Sequence, residues 1–476
     1  MNNPIRRTAI ISLLMMALLL GNATYSVLFR QAGLYNNPDN RRVRVAEFGQ
    51  NRGAILVGNT AIAASEPADQ SSFKYLRTYS DGDLYAPVTG FYSYLYGRSG
   101  LEQSYNSVLS GSDDSLFLQK LLGLATGQAS EGASIQTTLD AAAQQAAAEA
   151  LGTNTGAIVA MNWKTGEILA MVTSPSYDPN TLSTHDTKAS ESTWKALNAD
   201  TTRPMANRTV REVYPPGSTF KLVTAAAALE NGYTAESLLD APDKLTLPTT
   251  NTVLGNTMDC GGSKITIDQA LRVSCNTAFA NLGRALGDDK IRAQAEKFGF
   301  DSAQLSDLNG VASRFPSDPD VPQTMMSAIG QYDVAATPLQ MAMVGAAIAN
   351  DGVLMKPQIV KSVRTADLQV IRSYSPERQS VAMSSANAKL LKSWMVSVVE
   401  DGTGSPAQVS GVTVGGKSGT AESDGQRKPY AWFVGIAENP DVVVTAFVES
   451  RASSLNESSS SRLAGPMVAK VIESLT

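Results

Sequence analysis

The sequence predicts an α/β protein of the α+β type, in which helices cover one sheet that is assembled from distant parts of the chain. Apolar residues alternate with the period of a β-strand shortly after residue 150 and again beyond residue 410, whereas helical patterns fill the segment between them. Because strands occur at both ends of this region, we expect them to meet in one sheet. The sequence has no internal repeat that would indicate a solenoid or a propeller.

The elements of this region follow one another clearly along the sequence. An Ala-rich helix is predicted to begin after Asp140 and to run to Leu151, because Asp favours a helix start and Ala favours its interior. A β-hairpin follows, with strands at residues 156–162 and 167–173. The remaining predicted elements are helices at residues 220–231, 267–286 and 338–350 and strands at residues 412–414, 431–437 and 442–449.

Chain length and composition predict three parts. A chain of 476 residues is long enough for two or three domains. Residues 1–30 carry an apolar run, and residues 31–130 have many aromatic and turn residues, which predicts a small β-rich module. Gly, Ser and Asp residues surround an amphipathic piece at residues 116–124, so we expect an interdomain connection and a boundary near residue 130. The third part, residues 131–476, would contain the sheet and its helices.

The N-terminal segment has the length and polarity of a membrane anchor. Residues 8–29 carry no charge and would reach about 33 Å as a helix, enough to cross a hydrocarbon core. A cleaved signal peptide is the alternative, but the apolar run continues past the poor cleavage region at residues 21–23. Since Arg6 and Arg7 would stay cytoplasmic, we expect one span with the rest of the chain outside the membrane.

The composition disfavours nucleic-acid binding and metal chemistry. A formal charge of −5 leaves no basic surface for nucleic acid. Two cysteines, Cys260 and Cys275, and one histidine, His185, are too few for a usual metal site, and neither a metal nor another cofactor is expected. Outside the membrane, a Cys260–Cys275 disulfide would close a loop of about 15 residues and contribute about 3 kcal/mol. The alternative is two buried free thiols.

Ser218 and Lys221 form the first candidate reactive pair. They follow two prolines and a glycine at a predicted helix start, and their spacing of three places both on one helix face. Ser218 is either an N-cap, worth about 1 kcal/mol, or a nucleophile whose base is a lysine with a lowered pKa. A Ser-His-Asp triad is disfavoured because His185 lies far upstream in a polar stretch.

Two further short motifs follow along the chain. Ser274 and Asn276 lie two residues apart in a predicted helical region, where they could also be simple local hydrogen bonders. Lys417 follows two glycines on a predicted strand, where glycine allows another chain to approach and a lysine can protect a sheet edge. Each pattern is weak alone, but the three in this order and at these separations are a strong signal.

The three motifs together resemble those of the serine penicillin-recognising enzymes, which are Ser-x-x-Lys, Ser-x-Asn and Lys-Thr/Ser-Gly. The resemblance covers residues 134–476 and includes residues 214–221, 337–342, 417–422 and 431–433. Residues 52–55 and 100–102 are similar to the N-terminal motifs of class B penicillin-binding proteins. Residues 85–92 and the cysteine spacing are similar to the actinobacterial penicillin-binding protein A group. One departure is Gly330-Gln331-Tyr332, where many relatives have Gly-Gln-Gly.

The resemblance implies a fold, an activity and partners. The fold would be an antiparallel sheet covered by helices, preceded by a pedestal or dimerisation-like module and a single-pass membrane helix. The activity would be a peptidoglycan D,D-transpeptidase that cross-links stem peptides of lipid-linked precursor strands and is inhibited by β-lactams. Its partners would be a glycan synthase and other division proteins.

The resemblance also implies a role for each motif residue. Ser218 would be the nucleophile and Lys221 its base. Lys417 would keep Lys221 neutral by repulsion, Ser274 would relay a proton to the departing amine, and Asn276 would hold Lys221 and the substrate amide. The strand residues Ser418, Gly419 and Thr420 would bind the substrate, and the N–H groups of Ser218 and Thr420 would form an oxyanion hole.

Four other functions are considered for a chain with these motifs, and two of them are disfavoured. A serine β-lactamase of one class needs a Glu in Glu-x-x-Leu-Asn, which the nearest strings at residues 305–309 and 194–198 lack. A bifunctional synthase is disfavoured, because the roughly 100 residues before the boundary are too few for a glycosyltransferase domain. A D,D-carboxypeptidase, which transfers the acyl group to water, and a scaffold that only activates a glycan synthase stay open.

Overall fold

The computed structural model describes residues 3–30, 33, 45, 48–68, 73–113, 116, 131–365, 367–421, 429–450 and 455–476. Of the amphipathic piece predicted at residues 116–124, all but Leu116 lies outside the described residues. The domain boundary predicted near residue 130 also lies outside the described residues.

The helices of the described residues differ widely in length. Short 3₁₀ segments at Gly217–Phe220, Ser306–Leu308 and Ser405–Ala407 accompany them. The α-helices are α1 (Asn3–Tyr25), α2 (Gly82–Thr89), α3 (Gly100–Ser104), α4 (Asn106–Leu109), α5 (Ala141–Leu151), α6 (Asn180–Ser183), α7 (Thr187–Ala199), α8 (Lys221–Glu230), α9 (Ile267–Arg272), α10 (Asn276–Leu286), α11 (Asp288–Lys297), α12 (Val321–Ser327), α13 (Pro338–Ala349), α14 (Ser385–Asp401) and α15 (Glu457–Glu473).

The strands of the described residues belong to two larger sheets and several two-stranded ribbons. They are β1 (Ile55–Val57), β2 (Thr60–Pro67), β3 (Tyr75–Tyr79), β4 (Tyr92–Ser93), β5 (Gly97–Arg98), β6 (Ser134–Thr137), β7 (Gly156–Asn162), β8 (Ile168–Ser174), β9 (Leu238–Asp240), β10 (Lys244–Thr246), β11 (Val253–Gly255), β12 (Lys264–Thr266), β13 (Val353–Met355), β14 (Val360–Arg364), β15 (Val370–Ser373), β16 (Arg378–Val381), β17 (Val414–Ala421), β18 (Tyr430–Ala437) and β19 (Val442–Glu449).

The central five-stranded sheet confirms the predicted fold class. Its order is β17-β18-β19-β7-β8 with antiparallel pairing throughout, so the two ends of the C-terminal part meet as the sequence predicts. Successive side chains along a strand point to opposite faces of the sheet, so Val443 packs in one hydrophobic core and Val444 in the other. Helices α13 and α14 lie on one face, with α8 packed against them, and α5 and α15 cover the other face. The sheet is therefore buried on both sides.

A six-stranded sheet joins the N-terminal module to the rest of the chain. Its order is β15-β14-β6-β1-β2-β3, so strands from both sides of the predicted boundary pair with one another. Beside it, the two N-terminal motifs of the sequence meet, because Glu102 accepts hydrogen bonds of 2.6 Å from both Arg52 and Arg77. All three side chains are buried, and breaking such a pair typically costs about 3–5 kcal/mol.

The N-terminal helix stands apart from both sheets. The helical segment Asn3–Arg30 is long and apolar enough to cross a membrane, and its side chains are exposed. An exposed surface of this length and composition is consistent with a membrane anchor.

The helix predicted at residues 267–286 is wrong as a single element. It is divided into α9 and α10 because Ser274 adopts a left-handed conformation with φ of 57°. Hydrogen bonds from Ser274 and Cys275 close the end of α9, and Cys275 then occupies the N-cap position of α10. The break turns the Ser-x-Asn motif out of the helical ladder and toward the helix that carries Lys221.

Candidate active site

Ser218 lies within the helical segment that precedes Lys221. The 3₁₀ turn Gly217–Phe220 runs directly into α8, and Pro216 rather than Ser218 occupies the N-cap position. The interpretation of Ser218 as an N-cap is therefore not supported. Its side chain is nearly buried, at 6% exposure, so it lies in a narrow opening rather than on a free surface.

Two glycines allow this helix start to approach strand β17 closely. Gly217 has a φ of 53°, and a Cβ there would come within 2.3 Å of the Thr420 carbonyl oxygen. A Cβ at Gly419 would come within 2.8 Å of the Thr219 side chain. Because any larger residue would force these segments apart, the glycines keep Ser218 next to the third motif.

The side chain of Lys221 is completely buried between α8 and the Ser-x-Asn motif. Its Nζ donates hydrogen bonds to the Ser274 carbonyl at 2.8 Å and to Asn276 Oδ1 at 2.8 Å, and it lies 3.1 Å from Ser274 Oγ. Burial, and then repulsion by the charge of Lys417, hold the pKa of Lys221 well below its usual range. Lys221 thus has the environment of a neutral amine, which can accept a proton.

Lys417 lies on the edge strand β17, but the side chain is completely buried. A solvated lysine that protects a sheet edge would be exposed, so that interpretation is wrong. Its Nζ donates to Ser274 Oγ at 2.9 Å and to the Ser418 carbonyl at 2.9 Å. The Ser274 hydroxyl therefore lies between the two lysines, in contact with both.

A buried glutamate, which belongs to none of the three sequence motifs, completes this cluster. Glu457, at the first position of α15, accepts a 3.0 Å hydrogen bond from Lys417 and a 2.7 Å hydrogen bond from the Ser418 hydroxyl. Burial opposes its ionisation, but the charge of Lys417 and the hydrogen bonds from Lys417 and Ser418 lower the pKa of Glu457 below its usual value. Glu457 is therefore an anion at neutral pH.

The cluster brings all three sequence motifs together. In its neutral form, which the lowered pKa favours, Lys221 can donate two N–H groups to the Ser274 carbonyl and Asn276 Oδ1, and its lone pair can then accept a proton. Among the described residues, none of the hydrogen bonds of Lys221 goes to Ser218. Catalytic hydrogen bonds are often long before substrate binds. The arrangement can thus support attack by a serine hydroxyl on a carbonyl group.

His185 and the loop at residues 330–332 lie outside the cluster around Lys221. His185 Nε2 lies 3.2 Å from the Tyr75 carbonyl oxygen and its ring contacts Phe73, both in the N-terminal module. In the loop at residues 330–332, Tyr332 has a φ of 61° and is half exposed. That conformation favours glycine, so the tyrosine departs from the residue that this backbone favours. Within the described ranges, no group of three His, Cys, Asp or Glu residues is placed to hold a metal ion.

A disulfide links the Ser-x-Asn motif to the preceding loop. Cys275, the middle residue of the motif, is bonded to Cys260, and both cysteines are buried. Gln269 adds a hydrogen bond of 3.1 Å to the Cys260 carbonyl. The loop that contains Cys260 is therefore joined to the motif by a covalent bond and to α9 by a hydrogen bond.

We expect the full-length protein, purified without reductant, to contain no free thiol. The physical reason is that Cys260 and Cys275 are bonded to each other and are the only cysteines of the chain. The measurement is a thiol titration in denaturant, with a sample reduced beforehand as the control that should release two thiols. Two reactive thiols in the unreduced sample would contradict the bridge.

Comparisons with known proteins show which families and enzymes this chain is similar to. Residues 156–473 match the penicillin binding protein transpeptidase domain family, and residues 52–135 match the penicillin binding protein A dimerisation domain family. The chain is 40% identical to the peptidoglycan D,D-transpeptidase PbpA of Mycolicibacterium smegmatis, over 96% of this chain and 95% of the relative. It is 37% identical to PbpA of Mycobacterium tuberculosis, over 99% of both chains.

The solved structures give the same result. The ceftriaxone acyl-enzyme complex of penicillin-binding protein A from M. tuberculosis superposes with a TM-score of 0.86 at 37% identity, over 90% of this chain and 99% of that one. The penicillin G acyl-enzyme complex of the same protein has a TM-score of 0.84.

Proposed function

The chain belongs to the penicillin-binding protein transpeptidase family, and we propose that its three motifs carry out peptidoglycan D,D-transpeptidation through an acyl-enzyme on Ser218. It is a serine-type D,D-transpeptidase that β-lactams acylate. The observation that carries the assignment of residues is the buried amine of Lys221, which lies against Ser274 and Asn276 and near the charge of Lys417.

Acylation would begin with attack of Ser218 Oγ on the carbonyl carbon between two D-alanines. Neutral Lys221 would take the hydroxyl proton as the new C–O bond forms. The N–H groups of Ser218 and Thr420 would stabilise the oxyanion, an interaction worth roughly 3–4 kcal/mol. The close approach of Gly217 to the Thr420 carbonyl supports this pairing of helix start and strand.

Collapse of the tetrahedral intermediate would break the C–N bond and release D-alanine. The departing nitrogen needs a proton, and Ser274 is suited to pass it because its hydroxyl contacts both Lys221 and Lys417. The amine of a neighbouring stem peptide would then attack the ester carbonyl. In this second step the new C–N bond forms the cross-link and the C–O bond to Ser218 breaks. The proton that the attacking amine loses would pass through Lys221 to Ser218 Oγ and restore the hydroxyl.

Substrate recognition would fall to strand β17. The hydroxyls of Ser418 and Thr420 and the ammonium group of Lys417 all contact the carboxylate of Glu457, and a cation with two donors is the chemistry that binds a terminal carboxylate. Gly419 keeps the strand close to the helix that carries Ser218. Asn276 would hold the substrate amide as well as Lys221.

We place the enzyme on the outer side of the membrane, held by one uncleaved helix. The segment Asn3–Arg30 supports this placement by its length and apolar surface. Domains at residues 31–130 and 131–476 would act as pedestal and catalytic unit. The module and the anchor are suited to contact a glycan synthase and other division proteins, and a role in cell division rests on the resemblance to penicillin-binding protein A alone.

An acceptor assay tests this function directly. The full-length protein in detergent is incubated with a peptide ending in D-Ala-D-Ala, with and without an amine acceptor, and the products are separated by mass spectrometry. We expect D-alanine release together with the acceptor-linked peptide, because the acyl group passes to an amine. Release with only the hydrolysed peptide would indicate a carboxypeptidase. No release and no penicillin adduct would indicate a scaffold.

A further inference from the structure

Glu457 holds the groups that the proposed function assigns to the substrate. Its Oε1 lies 3.0 Å from Lys417 Nζ and 2.7 Å from Ser418 Oγ, and its Oε2 lies 3.5 Å from Thr420 Oγ1. These three groups would receive the terminal carboxylate of a stem peptide or the carboxylate of a β-lactam. A carboxylate of the chain itself is therefore in that position.

We propose that the carboxylate of Glu457 is an internal ligand of the carboxylate subsite, which the carboxylate of substrate or β-lactam has to displace. The inference rests on the proposed function, since it takes its subsite from there. Two carboxylates cannot share Lys417 and the Ser418 hydroxyl without strong repulsion. Glu457 thereby lowers the affinity for anionic ligands and leaves neutral ones largely unaffected.

The hydrogen bond of Ser274 to Glu457 is a second reason to expect that Glu457 is displaced when substrate binds. Its hydroxyl has one proton, which it donates to Glu457 Oε1 at 3.2 Å while it accepts from Lys417 and lies beside Lys221. A hydroxyl that donates to Glu457 cannot at the same time donate to a departing amine. Displacement of Glu457 would free both the subsite and the relay proton, so the arrangement described is a resting state.

An ordinary structural role accounts less well for this glutamate. An acidic residue in the first turn of a helix is favourable through the helix dipole, but that interaction needs no contact with Lys417. Asn456 already caps α15 by accepting from the backbone of Ser459. The side chain of Glu457 is only 4% exposed and is directed at the catalytic cluster rather than at the helix terminus.

The test compares two ligands that differ only in their carboxylate. Acylation rates of the full-length protein in detergent are measured with penicillin G and with its methyl ester, for the parent and for Glu457→Gln. Glutamine keeps the shape but loses the charge. If the subsite is closed about nine-tenths of the time, the apparent affinity is reduced about tenfold. We therefore expect Glu457→Gln to raise the ratio of acid to ester rates about tenfold.

Two matched variants separate occupancy of the subsite from a general effect of charge. Glu473→Gln removes the same charge from an exposed residue of α15 and should leave the ratio unchanged. Glu457→Asp withdraws the carboxylate by about 1.5 Å, the length of one C–C bond. It should raise the ratio less than Glu457→Gln does, and it serves if the glutamine variant does not fold.

The outcomes are distinguishable from a failure of the proposed function. Equal acceleration of acid and ester would mean that Glu457 acts only through the basicity of Lys221, which overturns the inference. Slower acylation of Glu457→Gln by the acid, with an unchanged melting temperature, would also overturn the inference. Glu457 would then hold Lys417 in place for the ligand rather than obstruct the subsite. A parent protein that neither ligand acylates would overturn the proposed function itself.

Discussion

Replacement of Ser218 by alanine is expected to abolish covalent labelling by penicillin while the protein still folds. The reason for the loss is that Ser218 lies one turn before Lys221 in the same helical segment, and Gly217 brings this helix start close to strand β17. Removal of a serine nucleophile typically costs on the order of 10⁶-fold in rate. The measurement is a labelled-penicillin gel with the full-length protein in detergent, supported by the acylation rate from mass spectrometry.

Stability should change little in this variant. No hydrogen bond of the Ser218 hydroxyl is found among the described residues, so its removal leaves no buried partner unsatisfied. We expect a melting temperature within about 4 °C of the parent. Ser393→Ala on α14 is the matched control, since Ser393 is exposed and distant in sequence from the motifs. A labelled band that persists in Ser218→Ala would show that another residue is the nucleophile.

The sequence alone predicts the parts of the site that depend on local spacing. Ser218 and Lys221 are three residues apart, so any helix through them places both on one face. The central strands likewise follow from period-two alternation, as in β18 and β19. Spacing does not predict that Lys221 contacts Ser274, which is 53 residues away in sequence. Nor does it predict that Ser274 contacts Lys417, which is 143 residues away. Only the resemblance to a family suggested those contacts.

The break at Ser274 could not be predicted from periodicity. Apolar residues keep a helical spacing through both α9 and α10, so the pattern indicates one continuous helix. A serine with φ of 57° interrupts it, and for a residue with a Cβ that conformation is unfavourable. Contacts with Lys221 and the Cys260–Cys275 disulfide hold the break. Both are tertiary features that a local pattern does not contain.

Glu457 was missed for a related reason. In sequence it follows Asn456 and precedes a serine run, which indicates an acidic residue in a first helical turn and nothing more. Its burial against Lys417 depends on how α15 packs over the sheet. A buried carboxylate beside two lysines is recognisable only once these elements are assembled.

Lys417→Ala is expected to slow acylation and to move its alkaline dependence to higher pH. Acylation requires neutral Lys221, so the rate rises as pH passes upward through the pKa of Lys221. The charge of Lys417 lowers that pKa, so its removal raises the pKa and leaves less neutral amine at pH 7. We expect a loss of about 10²-fold at neutral pH. The measurement is the second-order acylation rate from acid to alkaline pH, in variant and parent.

A second variant, at Glu457, tests the direction in which the pKa of Lys221 shifts. In Lys417→Ala, Lys221 is the one basic side chain among the described residues that still interacts with Glu457, and the negative charge of Glu457 raises the pKa of Lys221. The double variant Lys417→Ala with Glu457→Gln removes that anion, so its rate profile should return part of the way toward lower pH. Lys389→Ala, an exposed lysine of α14, should leave the profile of the parent. An unchanged profile in Lys417→Ala, with an unchanged melting temperature, would remove the electrostatic role of the third motif and leave Lys221 neutral through burial alone.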